Sequence, residues 1–336
     1  MWLCRYFYLG EKTIVKFVFS IVKYFCIGLF TLINVIPTYF IIGIVSIFTK
    51  KVPKRESVDK VLIVLALGVY LFTVFITGRW IMQNIKVKDI TDDIINNTPV
   101  IDTPSNITEP FDNITIDNDD TNENNGNNGN NGNNTVNNDY YNYQKLSYIS
   151  VNFDDLIKTN EDTVAWIRVE GTEVNYPVVQ QDNNNYYLRH TFRKNENKAG
   201  WIFADYRDDF DDFGKNTIIY GHNMRSKVMF GTLPNILTDN WYNNKDNHFV
   251  KISTPKKNTI WQVFSVYMTE PETYYISSVF NDRTYKKFID TLVSRSKYTF
   301  NTNVDLNDKI LTLSTCNNAG TKRIVMHAKL ISETER

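Results

Sequence analysis

A cysteine, a histidine and an arginine stand at the ends of strand-like runs in this chain, and together they have the makings of nucleophilic acyl chemistry. Cys316 follows the alternating run at 310–315, and Arg323 opens onto the apolar, β-branched run at 324–331. Between them Asn317, Asn318 and Gly320 are turn formers, so a thiol and a guanidinium meet across a short polar loop. The third group is His222, within NTIIYGHNM at 216–224, where Gly221 ends a β-run at 217–220 and leaves the imidazole at a strand end. A thiol becomes a nucleophile only with a proton acceptor at hand, and a tetrahedral oxyanion needs a fixed donor. His222 and Arg323 are of the right types for those two tasks. Each residue also has a structural reading. A lone cysteine is commonly a small core hydrophobe, and a histidine after a buried strand is commonly a hydrogen-bonded structural residue, a reading shared by His190, His248 and His327.

For these groups to share a cleft, the stretch from Tyr140 to Arg336 must fold as one domain, and its length of about 197 residues suffices to bury roughly 70% of the unfolded surface. Strand-like runs dominate it, at 164–169, 174–179, 200–204, 217–220, 249–253, 259–267, 310–315 and 324–331, separated by polar turns. Phe153, Leu156 and Ile157 fall at helical spacing, with Ser150 or Asn152 as cap and Asn160 as stop. Tyr285, Phe288, Ile289 and Leu292 predict a second helix over 282–295. The pattern is that of a mainly β domain, a largely antiparallel β-barrel with added helices.

Composition narrows what the thiol can be. The chain has three cysteines, and Cys4 and Cys26 both lie in or beside the apolar N-terminal region, so Cys316 has no disulfide partner in its own domain. A buried thiol or a reactive one remains. Charge is segregated: net +9 over residues 1–88, −11 over 89–139 and +2 over 140–336. The last part carries no basic face with interleaved aromatics, which argues against nucleic-acid binding.

The N-terminal third reads as membrane anchor. Residues 24–48 are uncharged and residues 61–82 carry only Arg79, and each run is long enough to cross a hydrocarbon core of ~30 Å. Two transmembrane helices are predicted in a region bounded at residue 88. Lys50, Lys51, Lys54, Arg55 and Lys60 between them place that loop in the cytoplasm, which makes the chain a multi-pass protein of the cell membrane with its C-terminal domain outside. Residues 89–139 are acidic and Asn/Gly-rich, with almost no apolar side chains in TNENNGNNGNNGNNTVNN, and predict a disordered tether. Treated as flexible coil, residues 96–139 would reach roughly 36 Å.

At this point the residues match a family. TLSTC at 312–316, IIYGHNM at 218–224 and RIVMHAKL at 323–330 resemble the cysteine, histidine and arginine blocks of the sortases, and within them class B. NYPVVQQDNNNYYLRHTF at 175–192, GWIFADYR at 200–207 and MFGTL at 229–233 are similar to further class B segments, so the resemblance covers nearly all of residues 147–331. It implies a closed eight-stranded sortase-type barrel and a cysteine transpeptidase, with Cys316 as nucleophile, His222 as general acid/base and Arg323 as oxyanion and substrate-positioning donor. Ser314 and Asn223 are candidate substrate-binding residues. The implied partners are secreted proteins bearing a C-terminal sorting signal and an acceptor amine, from a cell-wall peptide precursor or a pilin lysine. No metal or other cofactor is called for. Another extracellular Cys/His cell-wall peptidase is disfavoured, because amidases place Cys before His and L,D-transpeptidases carry an SHGC-type block absent here. A non-catalytic surface binding module is the remaining alternative.

Overall fold

The computed structural model describes residues 55–105, 107, 141–316 and 320–336, together with Ile42 and Ser46. The chain divides into two compact units, up to Ile81 and from Met82 onward. In chain order the described elements are α1 (Arg55–Asn97), β1 (Val100–Pro104), β2 (Ser147–Val151), α2 (Asp154–Thr159), β3 (Thr163–Val169), β4 (Asn175–Val179) and β5 (Phe203–Ala204). They continue with β6 (Asn216–Tyr220), α3 (Asp239–Asn243), β7 (Phe249–Ser253), β8 (Lys257–Thr269), α4 (Asp282–Arg295), β9 (Ile310–Cys316) and β10 (Arg323–Glu335).

Eight strands close a barrel in the order β10-β8-β7-β3-β4-β5-β6-β9. Each falls on one of the eight runs that alternation and β-branching mark out. Pairing is antiparallel except for β4 with β5 and β6 with β9. Because successive strand side chains point to opposite faces, Leu311 and Leu313 of β9 enter the barrel interior with Trp166, Trp201 and Trp261, while Ile310 faces outward. That outer face is buried too. Helix α4 packs Tyr285, Phe288, Ile289 and Leu292 against Ile310, Val325, Phe264 and Tyr267, which is why 324–331 reads as nearly continuous apolar sequence. The helix begins at a capping box, Asn281 and Thr284 exchanging side-chain bonds with each other's backbone N–H groups.

One expectation is met in part and two change. Among the described residues one helix, α1, is long and apolar enough to cross a membrane, and it covers the second of the two predicted spans. The first, at 24–48, lies outside the described residues apart from Ile42 and Ser46, so the structure supports one candidate membrane anchor, α1, and carries no support for a second span. Next, the stretch read as the start of a tether is structured over 89–104: α1 continues to Asn97, and β1 pairs antiparallel with β2, Val100 opposite Val151 and Pro104 opposite Ser147. The acidic composition hides a helical stripe, Val87, Ile90, Thr91 and Ile94, of which Val87, Thr91 and Ile94 are buried. Residues 108–140 lie outside the described residues, but both of their ends join this strand pair. The Asn-rich run is thus an insertion within a hairpin and not a spacer in series before the barrel. Last, β2 occupies residues assigned to the lead-in of a helix, and α2 itself is one and a half turns long.

A cut in the Asn-rich insertion therefore should not free the barrel. Protease added to wall-stripped cells is expected to nick the chain there while the fragment beginning near Tyr140 still sediments with membranes, held by the β1–β2 ladder and the α1 contacts. Appearance of that fragment in the supernatant would contradict this topology.

Candidate active site

The backbone alone brings the three chemically interesting segments to one end of the barrel. Strands β6 and β9 run parallel, from Asn216 opposite Ile310 to Tyr220 opposite Ser314. His222 and Cys316 each lie two residues past that last pair, so they leave the same end of neighbouring strands. The amide of Gly221 still donates to the Ser314 carbonyl at 3.3 Å. On the other side of β9, Cys316 pairs with Arg323 of β10.

A cleft of about 410 Å³ opens there, lined by His222, Arg323, Ser314 and Thr315, with walls from Leu188, Tyr220, Glu272, Tyr275 and Ile276. The imidazole of His222 is half-buried, and its Nε2 lies 2.9 Å from the Leu188 carbonyl. A carbonyl only accepts, so Nε2 carries the proton and Nδ1 is the nitrogen left to exchange one. Gly221 is required beside it: a Cβ there would come within 2.7 Å of the Phe230 ring, whose residue donates its amide to the His222 carbonyl at 3.1 Å. Ser314 Oγ donates to Tyr275 Oη at 3.4 Å. Asn223 instead bridges to Met229 across the following loop and is not among the residues lining the cleft.

The wall formed by the β8–α4 connection is pinned by two buried networks. In the first, Asp205 is fully buried and takes a bidentate pair from Arg207, at 2.7 and 2.8 Å, with Asn184 and the Tyr220 hydroxyl at 2.9 Å each. Burial pushes its carboxyl up, but Arg207, Asn184 and Tyr220 outweigh burial and hold it below the usual carboxylate range. Arg207 then reaches the Ile276 carbonyl at 3.0 Å. In the second, Tyr274 donates to Tyr267, whose hydroxyl lies 2.9 Å from His327 Nε2. His327 Nδ1 is 2.9 Å from Thr312 Oγ1, which donates to Asn216 Oδ1 at 2.6 Å. Asn216 Nδ2 ends the chain on the Tyr275 and Ser277 carbonyls. Every donor and acceptor in this chain is used only if His327 is neutral. Burial alone pushes its pKa down to about 3.

The structure thus gathers His222, Arg323 and Ser314 around the cleft that the end of β9 enters, and leaves Asn223 beside it. Leu188, Glu272, Tyr275 and Ile276 carry no signature of their own as single residues. The only sequence signals were an aromatic pair and turn formers after β8, and the NYYL stretch before Arg189.

The sortase domain model matches residues 167–331. The sortase B of Staphylococcus aureus is 36% identical over 188 residues, covering 55% of this chain and 76% of that protein. Its solved sortase B–substrate complex is 37% identical, with a TM-score of 0.50 over 54% of this chain and 84% of that one. Clostridium perfringens sortase B gives a TM-score of 0.51 at 33% identity, over 54% of this chain and the whole of that one.

The neutral His327 network gives a pH dependence with a definite sign. Its folded-state pKa is depressed, so the stability that goes with the neutral ring is full above the unfolded value of about 6.5 and is lost as pH falls toward 3. Asp208 works in the opposite direction, since burial raises it to about 7, so the comparison must be with a variant. The stability difference between pH 7 and pH 5 should be smaller in His327→Gln than in wild type by about 2 kcal/mol, measured by urea unfolding. Parallel pH profiles would show that the ring is not held neutral.

Proposed function

We propose, from the premise that this chain belongs to the sortase family and is a sortase B homologue, a cysteine transpeptidase that anchors surface proteins, that Cys316, His222 and Arg323 perform the two acyl transfers. The observation that carries this reading is the cleft shared by His222, Arg323 and the residues immediately before Cys316. The Cys316 sulfur attacks the scissile carbonyl carbon of a C-terminal sorting signal, and its proton passes to His222. The imidazolium returns that proton to the leaving amine as the C–N bond breaks, leaving a thioester. An acceptor amine then attacks the thioester, gives its proton through His222 to the departing sulfur, and an amide bond replaces the thioester.

Arg323 suits the oxyanion of both tetrahedral intermediates, because a planar guanidinium offers donors in a fixed fork. Nδ1 of His222 is the nitrogen that shuttles the proton, since Nε2 is engaged by Leu188. Ser314 contributes to the substrate surface. The substrates in this reading are secreted proteins carrying a sorting signal, and the acceptor is an amine of a cell-wall peptide precursor or a pilin lysine. The domain would work outside the cell from a single membrane anchor contributed by α1.

Turnover of LPxTG-like and NPxTx-like peptides tests the assignment. Cys316→Ala should abolish cleavage and transfer while the circular dichroism spectrum is kept, because replacing a thiol by a hydrogen removes little volume. A large stability loss in Cys316→Ala would favour a core role for the thiol. Arg323→Lys keeps the charge and loses the fork, so turnover should fall on the order of 10²-fold with stability changed by less than roughly 1 kcal/mol. Near wild-type turnover in that variant would require another oxyanion donor.

A further inference from the structure

The residues that hold His222 are themselves held by the end of α1. Its imidazole rests on the Leu188 carbonyl, and Leu188 belongs to a segment, 186–200, that is folded back on itself through Asn197. Asn197 is buried, its amide donates to the Arg189 carbonyl at 2.7 Å, and its Oδ1 accepts from Ala199 N at 2.9 Å. Gly200 then sits at φ +57°, where a Cβ would lie 2.3 Å from the Tyr187 carbonyl oxygen and 2.9 Å from that of Leu188. Any side chain at 200 would displace the carbonyl that orients the imidazole. The side-chain amide of Asn197 reaches out of the segment, to the Gln83 carbonyl of α1 at 3.2 Å. Further along the same helix Asp93 pairs with Arg193, and Val87 and Ile94 are buried in the core cluster that also contains Tyr187, Phe192, Ala199 and Trp201.

The geometry points to residues 83–94 of α1, acting through Asn197, as positioning elements for His222: the docked helix sets the loop, and the loop sets the Leu188 carbonyl. This rests on the reading of His222 as the proton carrier. Misplacing a reacting group by about 1 Å can cost on the order of 10²-fold in rate, so a small slackening of the loop is enough to matter. Neither Asn197 nor the α1 residues line the cleft, so their loss should appear in kcat and not in KM.

The test uses the full chain in detergent micelles. Asn197→Ala removes the helix tie, Val87→Ala loosens the helix seat, and the near-isosteric Val87→Thr serves if the alanine variant is too unstable. Ile260→Val, in a separate core cluster, controls for lost stability as such. With folded fractions matched, Asn197→Ala and the Val87 variant should each lower kcat about tenfold or more at unchanged KM. Nitrogen-15 NMR of the histidine rings should show His222 losing its single Nε2–H tautomer in both variants and keeping it in Ile260→Val. Lower melting temperatures with kcat and the His222 signal unchanged, or an equal effect in Ile260→Val, would overturn the proposal. A His222→Ala enzyme that still turns over peptide would instead sink the proton-carrier reading, whatever the NMR shows.

Discussion

The parallel pairing of β6 with β9 is the constraint on which the rest of the structure depends. Parallel neighbours cannot be joined by a tight turn and need a long crossover, and here residues 221–309 supply it. That crossover contains β7, β8 and α4, so the strands that complete the barrel and the wall of the cleft come from the same excursion. Because the register is parallel, one end of the pair emits both the His222 turn and the Cys316 loop. An antiparallel pairing would have sent them to opposite ends.

Chemistry at that end relies on polar groups that are buried and fully partnered. Asp205 ties Tyr220, Asn184 and Arg207 together and, through Arg207, fixes the Ile276 carbonyl. The His327 chain does the same for the Tyr275 and Ser277 carbonyls from within the β9–β10 ladder. Leaving one member of such a network unpartnered costs about 1–3 kcal/mol, so these side chains favour one arrangement of the cleft wall over its neighbours. Apolar packing of α4 on the outer barrel face gives cohesion, and the networks give position.

Legibility in the sequence followed the range of the interactions. All eight barrel strands and α4 were visible, because alternation, β-branching and a helical stripe are local signals. The cysteine, histidine and arginine stood out for the same reason, each being a reactive type at a strand end. The end of α1 was hidden because its apolar stripe is thin and set among Asp89, Asp92 and Asp93. Strand β1 was hidden because its partner lies more than forty residues on, across the Asn-rich insertion. Leu188 was beyond reach for a simpler reason: it contributes a backbone carbonyl, which every residue has.

The central claim is that Cys316 carries the acyl group. Incubating the protein with a sorting peptide and no acceptor amine, then digesting with trypsin, isolates Cys316 on the fragment 310–322. The account predicts that this fragment gains the mass of the peptide up to its scissile bond and loses it again in hydroxylamine, as a thioester does. Peptide cleavage with that fragment unmodified, or with the acyl group on Cys4 or Cys26, would contradict it.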